Sequence, residues 1–265
     1  MTVANYTARA IKSTALLEET RRLLRAWNPG QSAAELRHRA RTEDILGKAT
    51  GSRADDIVQG AFAARYLIDG DEPARTVKRL LDARGVGPWF AQLGLLFAAR
   101  NDAVLADAVT VFLVDAERRH AAAVSSKDFV AFLGRQEEAG RMAKAWSLSV
   151  KESVAQHIMH QLTDVGALGA PSRGRRSIQP FRAGDLAVAY LACELHRKGV
   201  SDAALVGHAD WLVWQMTEDE VRVALDRLSD LGLWVIQAAG DVVRIAWRWS
   251  QWDEVVAVLE RCSDG

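Results

Sequence analysis

Thr50, Ser52 and Arg53, with Lys48 just upstream, are residue types that hold a phosphate: two hydroxyls, a guanidinium fork and an ammonium. They fall in the run Lys48-Ala49-Thr50-Gly51-Ser52-Arg53-Ala54-Asp55-Asp56-Ile57, where Gly51 and Ser52 interrupt two helix-like patterns. Ser52 with Asp55 three residues later reads as an N-cap and its acidic partner. A helix opening there points backbone N–H groups that have no intrahelical acceptor at any nearby anion. The plain alternative is an ordinary capped helix start. A second basic set, Arg173, Arg175 and Arg176 with Arg182 beyond, lies in a Gly/Pro-containing stretch with no acidic residue between Val165 and Gly184. Arginines on such a loop suit phosphate or minor-groove contact, and a solvated loop without a ligand is the alternative.

Catalytic constellations are sparse. His157 and His160 stand one helical turn apart, but no Glu-x-x-His partner or nearby third ligand accompanies them, so no metal site is expected. Asp55 and Asp56 are adjacent, and neighbouring helical residues point about 100° apart, so they do not share a site. The chain carries no phosphate-binding Walker loop, no G-x-G-x-x-G and no G-x-S-x-G. One rival remains. Gly85-Val86-Gly87-Pro88-Trp89-Phe90-Ala91, followed by Asp102 and Asp107, resembles the helix-hairpin-helix of DNA glycosylases. That resemblance implies phosphate held by hairpin N–H groups, base flipping, and excision chemistry at Asp107.

The elements that would position these residues are mostly helices. Ser32-Ala33-Ala34-Glu35 is a capping box opening a short helix through Leu36 and Ala40, and a few residues lead from it to the start near Ser52. Two short helices joined by a turn, the second presenting small polar residues and an arginine, outline a helix-turn-helix. Further apolar stripes follow: Leu16 to Trp27, Ile57 to Leu67, Val77 to Leu81, Phe90 to Phe97, Val104 to Val114 and Phe129 to Leu133. Later, two helices end in related runs, Leu162-Thr163-Asp164-Val165-Gly166 and Leu228-Ser229-Asp230-Leu231-Gly232, each leading into a hairpin-like segment. The clearest is Val235-Ile236-Gln237 and Val242 to Trp247 flanking Ala238-Ala239-Gly240-Asp241. The expectation is a mainly α fold: a helical bundle with a helix-turn-helix element, followed by two winged-helix-like modules with short β-hairpins. The division falls at 1–145 and 146–265.

Charge separates the two modules. The helix of the first carries Lys151, Gln156, His157, His160 and Gln161 beside the arginine loop. The helix of the second begins Thr217-Glu218-Asp219-Glu220, a capping box whose three carboxylates repel phosphate; packing or partner binding suits it better, although Arg244 and Arg248 could reach a backbone. Trp211 and Trp214, one turn apart, read as core, and Trp247, Trp249 and Trp252 as core or a partner patch. Formal net charge is zero over 265 residues, against an indiscriminate nucleic-acid binder, yet ten basic and five acidic residues precede Ala54. With 49% hydrophobic and 26% charged residues the composition is that of a globular protein. Cys193 and Cys262 make neither a disulfide framework nor a zinc site, and no signal-like or membrane-length apolar run occurs, so a cytoplasmic setting with no membrane contact is expected.

Taken together, the chain resembles the BrxA family, a core component of bacteriophage-exclusion (BREX) defence systems. The resemblance rests on Lys48 to Ile57, Ala98-Ala99-Arg100-Asn101-Asp102, Asp107-Ala108-Val109, Tyr190-Leu191-Ala192 with His196, and Gly199-Val200-Ser201. It continues through His208-Ala209-Asp210-Trp211 and Gly240-Asp241-Val242-Val243 with Ile245 and Trp247. It implies a mainly helical protein with helix-turn-helix elements that binds double-stranded DNA, has no catalytic activity or cofactor, and acts beside the other components of the defence system. The expected contacts are Lys48, Thr50, Ser52, Arg53, Arg173, Arg175 and Arg176. A protein-interaction scaffold built from the winged-helix-like modules is the remaining alternative.

Overall fold

A computed structural model describes residues 6–8, 16–47, 50–239 and 242–262, and within it the chain is mainly helical with two two-stranded antiparallel sheets. Its elements run α1 (Leu17–Ala26), α2 (Ala33–Thr42), α3 (Gly51–Asp55), α4 (Ala64–Tyr66), α5 (Glu72–Arg84) and α6 (Pro88–Asn101). Then follow α7 (Ala103–Asp107), α8 (Val114–Arg118), β1 (Ala123–Ser125), α9 (Ser126–Glu138), α10 (Leu148–Asp164) and β2 (Arg175–Ser177). The last are α11 (Asp185–Arg197), α12 (Asp202–Val206), α13 (Glu218–Arg227), β3 (Trp234–Ala239), β4 (Val242–Trp247) and α14 (Trp252–Leu259). Two helices widen in mid-course: α3 passes to α4 through a π-helical segment, Asp56–Ala63, and α7 to α8 through another, Ala108–Leu113. Among the described residues no helix is long and apolar enough to cross a membrane.

Two compact units form. The first is Met1–Arg75 with Gly94–Phe181, and the second is Thr76–Leu93 with Arg182–Gly265, so the division falls inside α5 and inside α6. Residues 146–181, placed with the C-terminal half in the sequence reading, pack with the first unit.

In the first unit Leu23, Leu24, Trp27, Leu36 and Phe62 are wholly withdrawn from water, each burial contributing roughly 1.5–3 kcal/mol. Its later part is built on Phe112, Phe129 and Phe132, with Phe112 edge-on to Phe129 at 5.0 Å. Val154, Ile158 and Leu162 of α10 are fully buried as well. β1, which no sequence pattern announces, pairs with β2 in the register Ala123↔Ser177, Val124↔Arg176 and Ser125↔Arg175. Leu168 bridges Ile178, and the chain reverses between Ser172 and Arg175. The order is therefore helix (α7–α8), β1, α9, α10, then a hairpin whose return strand pairs with β1.

The second unit repeats much of that order: α11, α12, α13, then the β3–β4 hairpin, registered from Trp234↔Trp247 to Ala239↔Val242. Trp211, Trp214 and Trp234 are its buried centre, and each indole N–H finds a carbonyl: Leu205, Gln92 and Leu225 respectively. The related runs at 162–166 and 228–232 do the same local work. Gly166 (φ 85°) and Gly232 (φ 78°) both take the left-handed conformation that turns the chain out of a helix toward its hairpin. In the second unit Asp202, at the start of α12, occupies the place β1 has in the first. Its carboxylate accepts from the Ile245 N–H at 2.9 Å and tethers the hairpin without a third strand.

Candidate nucleic-acid interface

The cap at the start of α3 is Thr50, not Ser52: Thr50 Oγ1 accepts from the Arg53 N–H at 3.4 Å and Gly51 is the first helical residue. Two hydroxyl residues two positions apart compete for one cap, and the extended backbone of Thr50 decides between them. Ser52 lies exposed in the first turn and Arg53 is half-buried, while Lys48 lies outside the described residues. Asp55, expected as the capping partner, instead pairs with Arg41 of α2 and sits 3.9 Å from Arg37. Arg21 and Arg22 are likewise engaged by Glu18, and Arg39 by Glu43. The positive excess counted along the N-terminal sequence is thus largely committed to intramolecular pairs.

The arginine loop has a definite shape. Ser172 and Arg175 exchange both backbone hydrogen bonds, at 2.8 and 3.0 Å, around Arg173 (φ 49°) and Gly174 (φ 77°). Two consecutive positive φ values in a two-residue connection make a type I′ hairpin turn, with arginine where asparagine is usual. Arg173 is therefore presented at the tip of a tight turn and is exposed.

That tip faces a cavity of about 750 Å³ in the first unit, walled by the start of α9 and one face of α10. Its polar lining is Ser125, Ser126, Lys127, Glu152, Gln156, Arg173 and Arg175. Leu148, 63% exposed, adds an apolar lip. The start of α9 is fixed by a capping box in which Ser125 Oγ accepts from the Asp128 N–H and Asp128 accepts from the Ser125 N–H at 2.8 Å. Arg175 donates to the Ala123 carbonyl and its guanidinium stands 3.8 Å from Asp128, which anchors it along β1. Arg176 points the other way, to the face it shares with its cross-strand neighbour Val124, because strand residues alternate. Of the expected contacts, then, Arg173 and Arg175 come together on one groove. Arg176 does not join them, and Thr50, Ser52 and Arg53 belong to the separate α2–α3 corner.

Lys127 joins the groove unannounced in the sequence reading. The signal for it was present, since Ser125-Ser126-Lys127-Asp128 is a capping box and places Lys127 in a first helical turn. Among the described residues, Arg118, Lys127, Arg135, Lys144, Arg173 and Arg176 have no carboxylate partner. These six lie between residues 118 and 176, and Arg244, Arg248 and Arg261 of the second unit have none either.

Other candidate chemistry is otherwise engaged. Asp107 Oδ2 accepts from the Tyr6 hydroxyl at 2.7 Å and from Arg141 at 2.5 Å. Burial, then the neighbouring carboxylate, push the Tyr6 hydroxyl far above its ordinary pKa. His157 Nδ1 lies 2.7 Å from the Ser153 carbonyl, and His160 lies 3.7 Å from Asp164. Among the described residues no three His, Cys, Asp or Glu side chains gather as a metal-binding group. In the second unit, the corresponding face of α13 carries the expected capping box: Thr217 Oγ1 accepts from the Glu220 N–H at 3.3 Å, with Glu218 and Asp219 beside it. A cavity of about 360 Å³ there is lined by Met216, Asp219, Glu220, Val223 and Arg227 among others. Trp247 and Trp249 are half-buried around His196, whose ring stacks on Trp247 at 4.1 Å.

A family model described as BrxA matches residues 4–192, a span that contains the whole groove and ends within α11. No curated protein matches the chain.

Proposed function

The chain belongs to the BrxA family of bacteriophage-exclusion (BREX) phage-defence components, and from that premise we propose that it is a non-enzymatic protein that binds double-stranded DNA through the groove of its first unit. The observation that carries this reading is the convergence of Lys127, Arg173 and Arg175 on one concave surface, the first two with no carboxylate partner among the described residues. On this reading the unit is a winged helix: α10 is the helix offered to a major groove, and the Ser172–Arg175 hairpin is the wing. Lys127 and Arg175 neutralise backbone phosphates on either side, and Gln156 on the exposed face of α10 is placed to meet a base edge. None of the residues lining the groove is aromatic, which favours a duplex over unstacked single-stranded bases. Ser52 and Arg53 act as a subsidiary phosphate contact, with the Thr50 hydroxyl taken by the cap of α3. Asp107, already held by Tyr6 and Arg141, serves as a structural carboxylate, which supports the non-enzymatic reading over a glycosylase.

Membership of the family places the protein in a multi-component defence system. The acidic opening of α13 gives the second unit a surface suited to those protein components and unsuited to phosphate. The test is a duplex titration across salt for the wild type, Lys127→Ala, Arg173→Ala and Arg175→Ala. Each variant should bind more weakly and lower the slope of log K against log salt by about one. Wild-type affinity and slope in all three would reject the groove as the interface.

A further inference from the structure

A second cavity shares Arg175 with the groove and is lined by Ala123 and Val124 of β1, and the proposed interface uses none of its other lining residues. It measures about 210 Å³ and is entered past Arg119, Arg135, Arg175 and Asp128, over a floor of Phe112, Ala116 and Val124. Three guanidinium groups against one carboxylate line a space with ample room for a phosphate group. The carboxylate is itself committed to the Ser125 capping box. Arg119 is steadied by Asp115 at 3.0 Å, and Arg175 by the Ala123 carbonyl. Arg135 is exposed and has no carboxylate partner among the described residues. Position in the last turn of α9 explains why a cation is tolerated there, but not why it leans over a cavity already lined by two other arginines. The low-dielectric floor strengthens any ion pair formed above it.

We propose that this cavity is a phosphate-binding subsite. It takes one phosphodiester of the same duplex that occupies the groove, with Arg175 shared between the two. This inference rests on the duplex-binding reading and extends it. One strand's backbone passes from Lys127 and Arg173 across Arg175 to Arg135 and Arg119, so the contact continues over the β1–β2 edge instead of ending at the turn. Phosphate carries the recognition, because the cavity's lining offers three guanidinium groups and no Asn or Gln side chain that would read a base edge.

The experiment compares wild type, Arg135→Ala and Arg135→Lys in two assays: duplex affinity across salt, and thermal stabilisation by inorganic phosphate alone. Arg135→Ala should weaken duplex binding by about three- to tenfold and lower the salt slope by about one. Arg135→Lys should restore most of the slope. Circular dichroism on each variant confirms that it is folded. Wild type that binds duplex, with Arg135→Ala unchanged in affinity and slope, overturns the subsite and leaves the groove intact. No duplex binding by wild type at low salt instead removes the reading on which the subsite rests. Phosphate stabilisation that is lost in Arg135→Ala while duplex binding is unaffected assigns the cavity to a free phosphate and overturns its place in the duplex track.

Discussion

Arg173 shows how much a single side chain can be asked to give up. A residue with a Cβ at φ 49° sits in a conformation that glycine or asparagine adopts more cheaply, at the exposed tip of a two-residue turn. Nothing within the hairpin requires arginine there, since the turn closes through backbone groups alone. Arg173→Asn should therefore stabilise the protein, by about 0.5–1 kcal/mol in urea denaturation, while weakening duplex binding. An equal loss of stability and binding would mean that the guanidinium holds the turn itself. Asp107 is the opposite case: every feature of its surroundings, from the Tyr6 hydroxyl to the Arg141 guanidinium, holds it still.

At the scale of elements, the caps decide where helices begin and which charges they display. Glu220 accepts from the Thr217 backbone N–H, pairs with Arg182 and accepts from the Thr217 hydroxyl, and these together hold its carboxyl at about 2, down from 4.5. A carboxyl depressed on folding contributes stability that is present above about pH 4.5 and is lost as pH falls toward 2. The side chain of Glu220 is 37% exposed, so solvent screening keeps that contribution small. Thr217→Ala should cost about 1 kcal/mol at neutral pH. Glu220→Gln should flatten the acid limb of the stability profile. Both are read from denaturation midpoints between pH 2 and 7, and an unchanged acid limb in Glu220→Gln would show that other carboxylates set it. The same capping logic at Ser125 positions Lys127 for the groove, and at Thr50 it spends the hydroxyl that would otherwise meet a ligand.

For the whole molecule, zero net charge conceals a sorted distribution. Arg21, Arg22, Arg37, Arg39 and Arg41 are paired within their own corner, six cations between residues 118 and 176 have no carboxylate partner among the described residues, and α13 opens on three carboxylates. Two units of related order therefore differ in what they can approach: one presents a basic groove, the other an acidic helix start. Arg244 and Arg248 on and after β4 are exposed, yet they belong to the acidic unit. The double variant Arg244→Ala with Arg248→Ala should leave duplex affinity and its salt slope within about twofold of wild type, because the slope counts only phosphates actually neutralised. A fall as large as that of Arg175→Ala would bring the second hairpin into the interface.

The amino-acid sequence by itself determined the mainly helical class, the Ser32 and Thr217 capping boxes, the β3–β4 hairpin and the burial of Trp211 and Trp214. These are local properties, written in periodicity, cap spacing and turn residues within a few positions of one another. Family membership was legible too, because it rests on order along the chain. Tertiary structure alone decided the rest. β1 is three residues long and is a strand only because β2, some fifty residues later, supplies its partner. Asp55 answers to Arg41 across a turn instead of capping its own helix, since an ion pair with a neighbouring helix outbids a cap that Thr50 already makes. Arg173 and Arg175 gain Lys127 as a companion, and Arg176 is turned away, through strand alternation and the folding of α9 and α10 around a hairpin. Which cations remain unpaired depends on every carboxylate within reach in space, a quantity that no count along the sequence contains.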